Sequence, residues 1–269
     1  MKTFSVNLNP ERPWVKLESF IPDLPEKRDA LLIIPGGGYR LVCGDREGSA
    51  IAEAFMPEGF SCFVLTYSIK EHGKYPAPLE DASLAMQYIR ENAEELRINA
   101  DRVFAVGFSA GGHLCGMLGT MWHEAKNVPY GINKPMGVML CYAVLTGKKG
   151  HAHDDSFAIL CGKEASEMTE DERAMYSLEN HVDERTSPAF LMHTSDDDCV
   201  PVESSIYMAN ALSQHKIPFE MHIYPHGPHG IALANEITSK GAENKAIARW
   251  VSDAAAWSRT IESSSVVPR

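Results

Sequence analysis

Four short stretches of the chain hold residue types suited to nucleophilic acyl transfer. One is Gly107-Phe108-Ser109-Ala110-Gly111, a G-x-S-x-G pattern that directly follows the apolar run Val103 to Val106 and precedes a stretch of helical character from Ala110 to Trp122. A serine on a tight strand-to-helix turn lifts its hydroxyl above a sheet edge, and the glycines let the turn adopt strained angles against neighbouring chain. Taken alone the five residues also describe a plain tight turn; strand and helix on either side favour a nucleophile at Ser109. An unassisted hydroxyl is a poor nucleophile, so an acid and a base are required downstream, in the order Ser, Asp, His.

The run Ser195-Asp196-Asp197-Asp198-Cys199-Val200-Pro201 follows the apolar stretch Ala189 to His193, at the C-terminal end of a strand, where open α/β sheets keep their sites. Chemistry alone does not choose among its three carboxylates; the two that are not used are expected to cap the next helix or face solvent. Further on, Tyr224-Pro225-His226-Gly227-Pro228-His229-Gly230 offers two histidines in a Gly/Pro loop. His229 is expected to take the proton from Ser109 and return it to the leaving group, with His226 on the surface or in support. Acyl transfer also needs donors for the developing oxyanion. Gly36-Gly37-Gly38-Tyr39 follows the first core strand, so the N–H groups of Gly37 and Gly38, with that of Ala110, are the expected donors.

Elements able to hold these groups alternate along the chain. Phe4 to Asn7 and Trp14 to Leu17 read as edge strands. Ala30 to Ile34, Cys62 to Tyr67, Val103 to Val106, Gly137 to Val144, Ala189 to His193 and Phe219 to Tyr224 read as strands, the unbroken apolar runs among them suiting a sheet covered on both faces. Helical patterns lie at Glu47 to Met56, Leu79 to Leu96, Glu203 to Leu212 and Ala242 to Trp257. This alternation implies a mostly parallel sheet with helices on both faces, in one α/β domain spanning 1–269. Residues 146–187 interrupt it with a polar stretch, and Thr169 with Glu172 forms a capping-box pattern inside it. That insertion is expected to cap the sheet's C-terminal edge. The tail at Ser263 to Ser265 is expected to fray.

Composition excludes several function classes. With 25 basic and 36 acidic residues the formal charge is -11, which argues against nucleic acid and anionic membrane as partners, since both call for basic patches. A small neutral substrate fits better. No apolar run reaches membrane-spanning length, and the six cysteines are scattered without a zinc or disulfide spacing. A cytoplasmic location is therefore expected. His151, His153, Asp154 and Asp155 cluster in the polar insertion, where no ordered element is evident to fix ligand geometry, so no metal and no cofactor is expected. The sequence neither requires nor excludes a homo-oligomer.

In order along the chain, P-G-G-G-Y at Pro35 to Tyr39, G-F-S-A-G-G-H-L at Gly107 to Leu114, H-T-S-D-D-D-C-V-P at His193 to Pro201 and P-H-G-P-H-G at Pro225 to Gly230 resemble the esterase branch of the α/β-hydrolases. That branch includes bacterial acetyl-xylan and related carbohydrate esterases, and the resemblance runs from about Ala30 onward. The resemblance implies an α/β-hydrolase fold and a serine carboxylesterase acting on short-chain, chiefly acetyl, esters of sugars or xylo-oligosaccharides. The branch's H-x-x-x-D-x-x-V-P pattern puts its acid on Asp197, and its histidine before Gly falls on His229. Pro35 stands where the lipase-like branch has the histidine of H-G-G-G, which points toward the carbohydrate-esterase group. Tyr39, Tyr176 and His181 are expected to line the acyl or sugar pocket. Two rival readings use the same scaffold: a small-amide hydrolase, formamidase-like or peptidase-like, and a non-catalytic ligand-binding protein. The presence of serine, acid, base and oxyanion glycines together weighs against the second.

Overall fold

The structure, a computed structural model, describes residues 1–239 and 241–262; the tail at Ser263 to Ser265 lies outside these. Alternation decides the first two strands. β1 (Ser5–Asn7) and β2 (Lys16–Phe20) pair antiparallel, with Leu17 and Ser19 turned inward and Lys16 and Glu18 in water. Unbroken apolarity decides most of the others: β3 (Arg28–Ile34), β4 (Phe60–Thr66), β5 (Ile98–Phe108), β6 (Val138–Cys141), β7 (Ala189–Thr194) and, at the far edge, the half-buried β8 (Phe219–Tyr224). They lie in the order β1-β2-β4-β3-β5-β6-β7-β8. β2 meets β4 antiparallel, and every pairing from β4 across to β8 is parallel.

The helices are α1 (Gly44–Glu47), α2 (Ser49–Phe55), α3 (Ala77–Glu91), α4 (Ala93–Leu96), α5 (Ser109–Thr120), α6 (Asp154–Cys161), α7 (Glu170–Tyr176), α8 (Glu203–Gln214) and α9 (Trp250–Thr260). Side chains alternate across a strand, so the sheet has a core on each face. Ala30, Leu32 and Ile34 of β3 pack with α3, α5 and α8; Leu31 and Ile33 pack with α2 and α9. The chain is thus an α/β-hydrolase fold with helices on both faces. Among the described residues no helix is long and apolar enough to cross a membrane.

Several elements end where a single residue leaves the regular path. The helical stretch at 47–56 divides at Gly48, whose φ of -110° and ψ of -104° are not helical. The one at 79–96 divides at Asn92, whose side-chain amide donates to the Tyr88 carbonyl. β6 stops before Tyr142, which has a φ of 37°, so the strand expected to reach Val144 is half as long. The helix expected over Ala242 to Trp257 forms only in its second half: Asn244 Oδ1 accepts from the N–H groups of Ala246 and Ile247, fixing a turn, a 3₁₀ turn follows at Ile247–Arg249, and α9 starts at Trp250.

The insertion at 146–187 lies between β6 and β7 and contains α6 and α7. The Thr169–Glu172 capping box forms, with Glu172 N–H donating to Thr169 Oγ1 at 3.2 Å and Thr169 N–H to Glu172 Oε2 at 2.9 Å. Buried Arg173 joins the two helices by donating to Asp154 at 2.5 Å. Leu178 N–H donates to the Leu145 carbonyl, tying the insertion to the segment that follows β6, and Gly147 N–H donates to Ser177 Oγ within it.

Candidate active site

At the β5–α5 turn Ser109 has a φ of 53°, in the left-handed region that side chains avoid unless their surroundings impose it. The neighbours show what imposes it. A Cβ on Gly107 would stand 2.3 Å from the Gly111 carbonyl oxygen, and one on Gly111 would stand 2.2 Å from that of Ile34. Gly107 is crowded by the first turns of α5 and Gly111 by the end of β3, so only glycine fits at these two positions flanking the serine turn.

The loops after β7 and β8 bring the other two groups to this turn. His229 Nε2 lies 2.9 Å from Ser109 Oγ, and His229 Nδ1 lies 2.8 Å from Asp197 Oδ2. Asp197 can only accept, so Nδ1 carries the proton in the neutral ring and Nε2 is free to accept from the serine hydroxyl. Asp197 Oδ1 accepts from the N–H groups of Cys199 and Val200, at 2.9 and 2.8 Å. Burial pushes the Asp197 carboxyl upward, but hydrogen bonds from His193, His229 and Val200 N–H outweigh it and hold the group well below the usual carboxylate range.

The three adjacent carboxylates therefore have three fates. Asp197 is buried and Asp198 faces solvent. Asp196, expected to cap a helix or face solvent, is exposed but bridges two loops: it accepts from His226 and from Gly227 N–H, each at 2.9 Å. No side chain caps α8, which Val202 precedes.

The glycine loop after β3 lies against the serine. A Cβ on Gly36 would stand 2.6 Å from the Phe108 carbonyl oxygen and 3.0 Å from Ser109 Cβ. Gly37 has a φ of 127°, and a Cβ there would meet the Leu41 carbonyl oxygen at 2.2 Å. Among the described residues, the N–H groups of Gly37, Gly38 and Ala110 have no acceptor in the protein. Free N–H groups in a loop that lies against the serine can donate to a developing oxyanion.

Two residues that the sequence did not single out hold this region. Glu47 is 1% exposed, and its Oε2 accepts from Gly36 N–H at 2.8 Å while its Oε1 accepts from Tyr142 Oη at 2.9 Å. Tyr142 Oη in turn accepts from Ala232 N–H at 3.1 Å, and the tyrosine ring meets the His229 imidazole edge-on, with centroids 5.2 Å apart. Burial raises the Glu47 carboxyl above its ordinary value, opposed by the Gly36 N–H and Arg46. A glutamate in a polar Gly-Asp-Arg-Glu-Gly stretch reads as surface, and a tyrosine in an apolar run reads as core; only their contact 95 residues apart in sequence distinguishes them.

The residues expected to line the pocket lie mostly inside the protein. Tyr39 is fully buried, and its hydroxyl meets His113 Nδ1 at 3.0 Å. Burial brings the His113 imidazole down to about 4, so it is neutral; its Nε2 donates to the Tyr176 carbonyl at 2.9 Å and its Nδ1 accepts from Tyr39. The Tyr39 side chain thus joins the glycine loop, through His113, to the insertion. The Tyr176 ring is buried against Tyr75 and Phe157, while His181 Nε2 donates to the Met175 carbonyl at 2.7 Å. His153 borders the glycine loop, its Cε1 3.7 Å from where a Gly38 Cβ would be, with Nδ1 2.8 Å from Ser156 Oγ. Its sequence neighbours take separate partners: Asp154 with Arg173, Asp155 with Arg40, and His151 at 3.9 Å from Glu203. Among the described residues no three His, Cys, Asp or Glu side chains come together as a metal site would require.

Comparison with known proteins gives three kinds of match. The pattern defining the BD-FAE family fits residues 20–212. The chain is 39% identical over 231 residues to endo-1,4-beta-xylanase B of Butyrivibrio fibrisolvens, covering 81% of this chain and 36% of that protein. It is 30% identical over 236 residues to the acetylxylan esterase of Xylanibacter ruminicola, covering 86% of this chain and 46% of that one. It spans less than half the length of these curated relatives. Among solved structures, the acetyl ester-xyloside bifunctional hydrolase from Caldicellulosiruptor lactoaceticus matches with a TM-score of 0.81 and 33% identity, over 94% of this chain and 90% of that one. A sugar hydrolase from Lactococcus lactis matches with a TM-score of 0.80 and 30% identity, over 96% and 97% of the two chains.

Proposed function

The chain belongs to the BD-FAE family, and from that membership we propose that it is a serine carboxylesterase releasing short acyl groups, chiefly acetyl, from sugars or xylo-oligosaccharides. One observation carries this reading: a hydrogen-bonded relay from Ser109 Oγ to His229 to Asp197, next to a glycine loop whose Gly37 and Gly38 N–H groups, like that of Ala110, have no acceptor among the described residues.

In this reading Ser109 Oγ attacks the ester carbonyl carbon as its proton passes to His229 Nε2. The carbonyl oxygen takes the negative charge and is received by the N–H groups of Gly37, Gly38 and Ala110. Asp197, ionised and immobilised by two backbone N–H groups, stabilises the imidazolium and keeps its orientation. The tetrahedral intermediate collapses as His229 gives its proton to the departing sugar oxygen, leaving Ser109 acylated. A water, deprotonated by His229, then releases the carboxylic acid and restores the serine.

The choice of an acetylated sugar rests on the names of relatives, an acetylxylan esterase and an acetyl ester-xyloside bifunctional hydrolase among them. The whole of 1–269 acts in this proposal as one domain, with 146–187 as a cap, and His153 beside the glycine loop and His181 are the insertion's candidates for substrate contact. The proposed compartment is the cytoplasm, on the strength of six free cysteines, four of them buried. Turnover of p-nitrophenyl acetate, acetylated xylo-oligosaccharides and aminoacyl anilides by the purified protein tests the reading. Ester turnover should exceed anilide turnover; the reverse order would favour a small-amide hydrolase.

A further inference from the structure

We infer that Glu47 and Tyr142 are positioning residues that tie the oxyanion loop to the loop carrying His229, so that donor and base are held by one buried bridge. The inference rests on the esterase reading above and adds two residues to it. The bridge runs from Gly36 N–H to Glu47 Oε2, from Glu47 Oε1 to Tyr142 Oη, and from Tyr142 Oη to Ala232 N–H. Gly36 immediately precedes the two glycines whose N–H groups have no acceptor among the described residues, and Ala232 lies three residues beyond His229. Fixing the Gly36 N–H fixes the peptide plane from which that loop departs; fixing the Ala232 N–H anchors the other side of the histidine loop.

A buried carboxylate is costly, and a buried ion pair replaced whole by apolar residues of like volume is often no less stable. Its retention therefore asks for a reason other than stability. The surroundings supply one. Arg46 Nε lies 3.6 Å from Glu47 Oε1, and its guanidinium stands 3.0 Å from where a Cβ on Gly230 would be, so the charge opposing Glu47 also rests on the histidine loop. Tyr142 has a φ of 37°, outside its strand, and this turn carries its ring to the edge of the His229 imidazole. Strained backbone persists where the surroundings over-determine it, which is a common property of functional sites.

The test uses the whole chain and three variants, Glu47→Gln, Tyr142→Phe and the double variant, with p-nitrophenyl acetate as substrate. Active sites are counted by titration with a serine-reactive phosphonate, so that kcat is expressed per competent site. Misplacing reacting groups by about 1 Å can cost on the order of a hundredfold in rate, so each single variant should lose about tenfold to a hundredfold in kcat with KM changed less than about threefold. The double variant should fall close to the worse single one, because both substitutions cut one bridge. Glu47→Gln leaves Arg46 without its carboxylate, so its melting temperature should fall below the parent's; the loss of kcat per titrated site with KM little changed, in protein folded at the assay temperature, is what separates positioning from a merely structural loss. Should Glu47→Gln fail to fold, Tyr142→Phe alone decides by the same split between kcat and KM. Folded single variants with parental kcat per site, or losses that multiply in the double variant, would overturn the inference while an active parent leaves the esterase reading intact. A parent that hydrolyses no ester overturns that reading and this inference together.

Discussion

His229 Nδ1 stands 2.8 Å from Asp197 Oδ2, and the backbone N–H groups of Cys199 and Val200 pin the other oxygen of the same carboxylate. The carboxylate therefore sets which imidazole nitrogen carries the proton. In Asp197→Asn the amide can offer an N–H to Nδ1, which places the ring proton on Nε2, where it can no longer accept from Ser109. A fall in kcat of about 10³-fold to 10⁴-fold on p-nitrophenyl acetate is expected, with a near-parental circular dichroism spectrum. A loss of less than tenfold would remove Asp197 from the relay.

Asp197 also links stability to acid. Its folded carboxyl is held well below the ordinary value, so the stabilisation is complete above the unfolded value of about 3.9 and is lost as pH falls through the lowered one. Melting temperatures measured from about pH 6 down to about pH 2 should fall more steeply for the parent than for Asp197→Asn. Parallel curves would mean that the carboxyl is not stabilised in the folded state.

The two histidines of the last loop should separate cleanly. His226 has an exposed side chain paired with exposed Asp196, whereas His229 faces both Ser109 and Asp197. Steady-state assays should give His226→Ala a kcat within about threefold of the parent, and His229→Ala a loss of about 10³-fold or more. Equal losses would contradict the division of labour between them.

Tyr39→Phe tests whether that side chain meets substrate or the interior. Removing its hydroxyl leaves buried His113 Nδ1 without its partner, at a cost of about 1–3 kcal/mol. Urea denaturation should show that loss while KM for p-nitrophenyl acetate stays within about twofold, the substrate having touched neither group. A raised KM with unchanged stability would restore Tyr39 to the pocket.

What the sequence revealed and what it concealed divide along physical lines. Gly107 and Gly111 were legible because close backbone approach admits no other residue, and the apolar runs of the inner strands because burial on both faces leaves no place for charge. Ser109, Asp197 and His229 were legible through local motifs, although the choice of Asp197 needed a resemblance: three neighbouring carboxylates have the same chemistry until the chain folds. Asp196 shows the same limit, since its partners His226 and Gly227 lie 30 and 31 residues away. The helical turns expected from Ala242 failed for a different reason. Asn244 offers the backbone a side-chain acceptor, and that local bond overrides a weak helical pattern. The burial of Tyr39 on His113 and of Tyr176 on Tyr75 and Phe157 was not legible, because an aromatic in the sequence looks the same whether it meets a ligand or the interior.

The most direct test of the proposed chemistry is the hydrolysis rate of p-nitrophenyl acetate by Ser109→Ala, purified and shown to melt as the parent does. Without the hydroxyl no acyl-enzyme can form, so the rate should drop by about 10³-fold or more, to what binding and the remaining donors alone provide. A folded Ser109→Ala protein that retains the parental rate would contradict the assignment of Ser109 as nucleophile and the mechanism built on it.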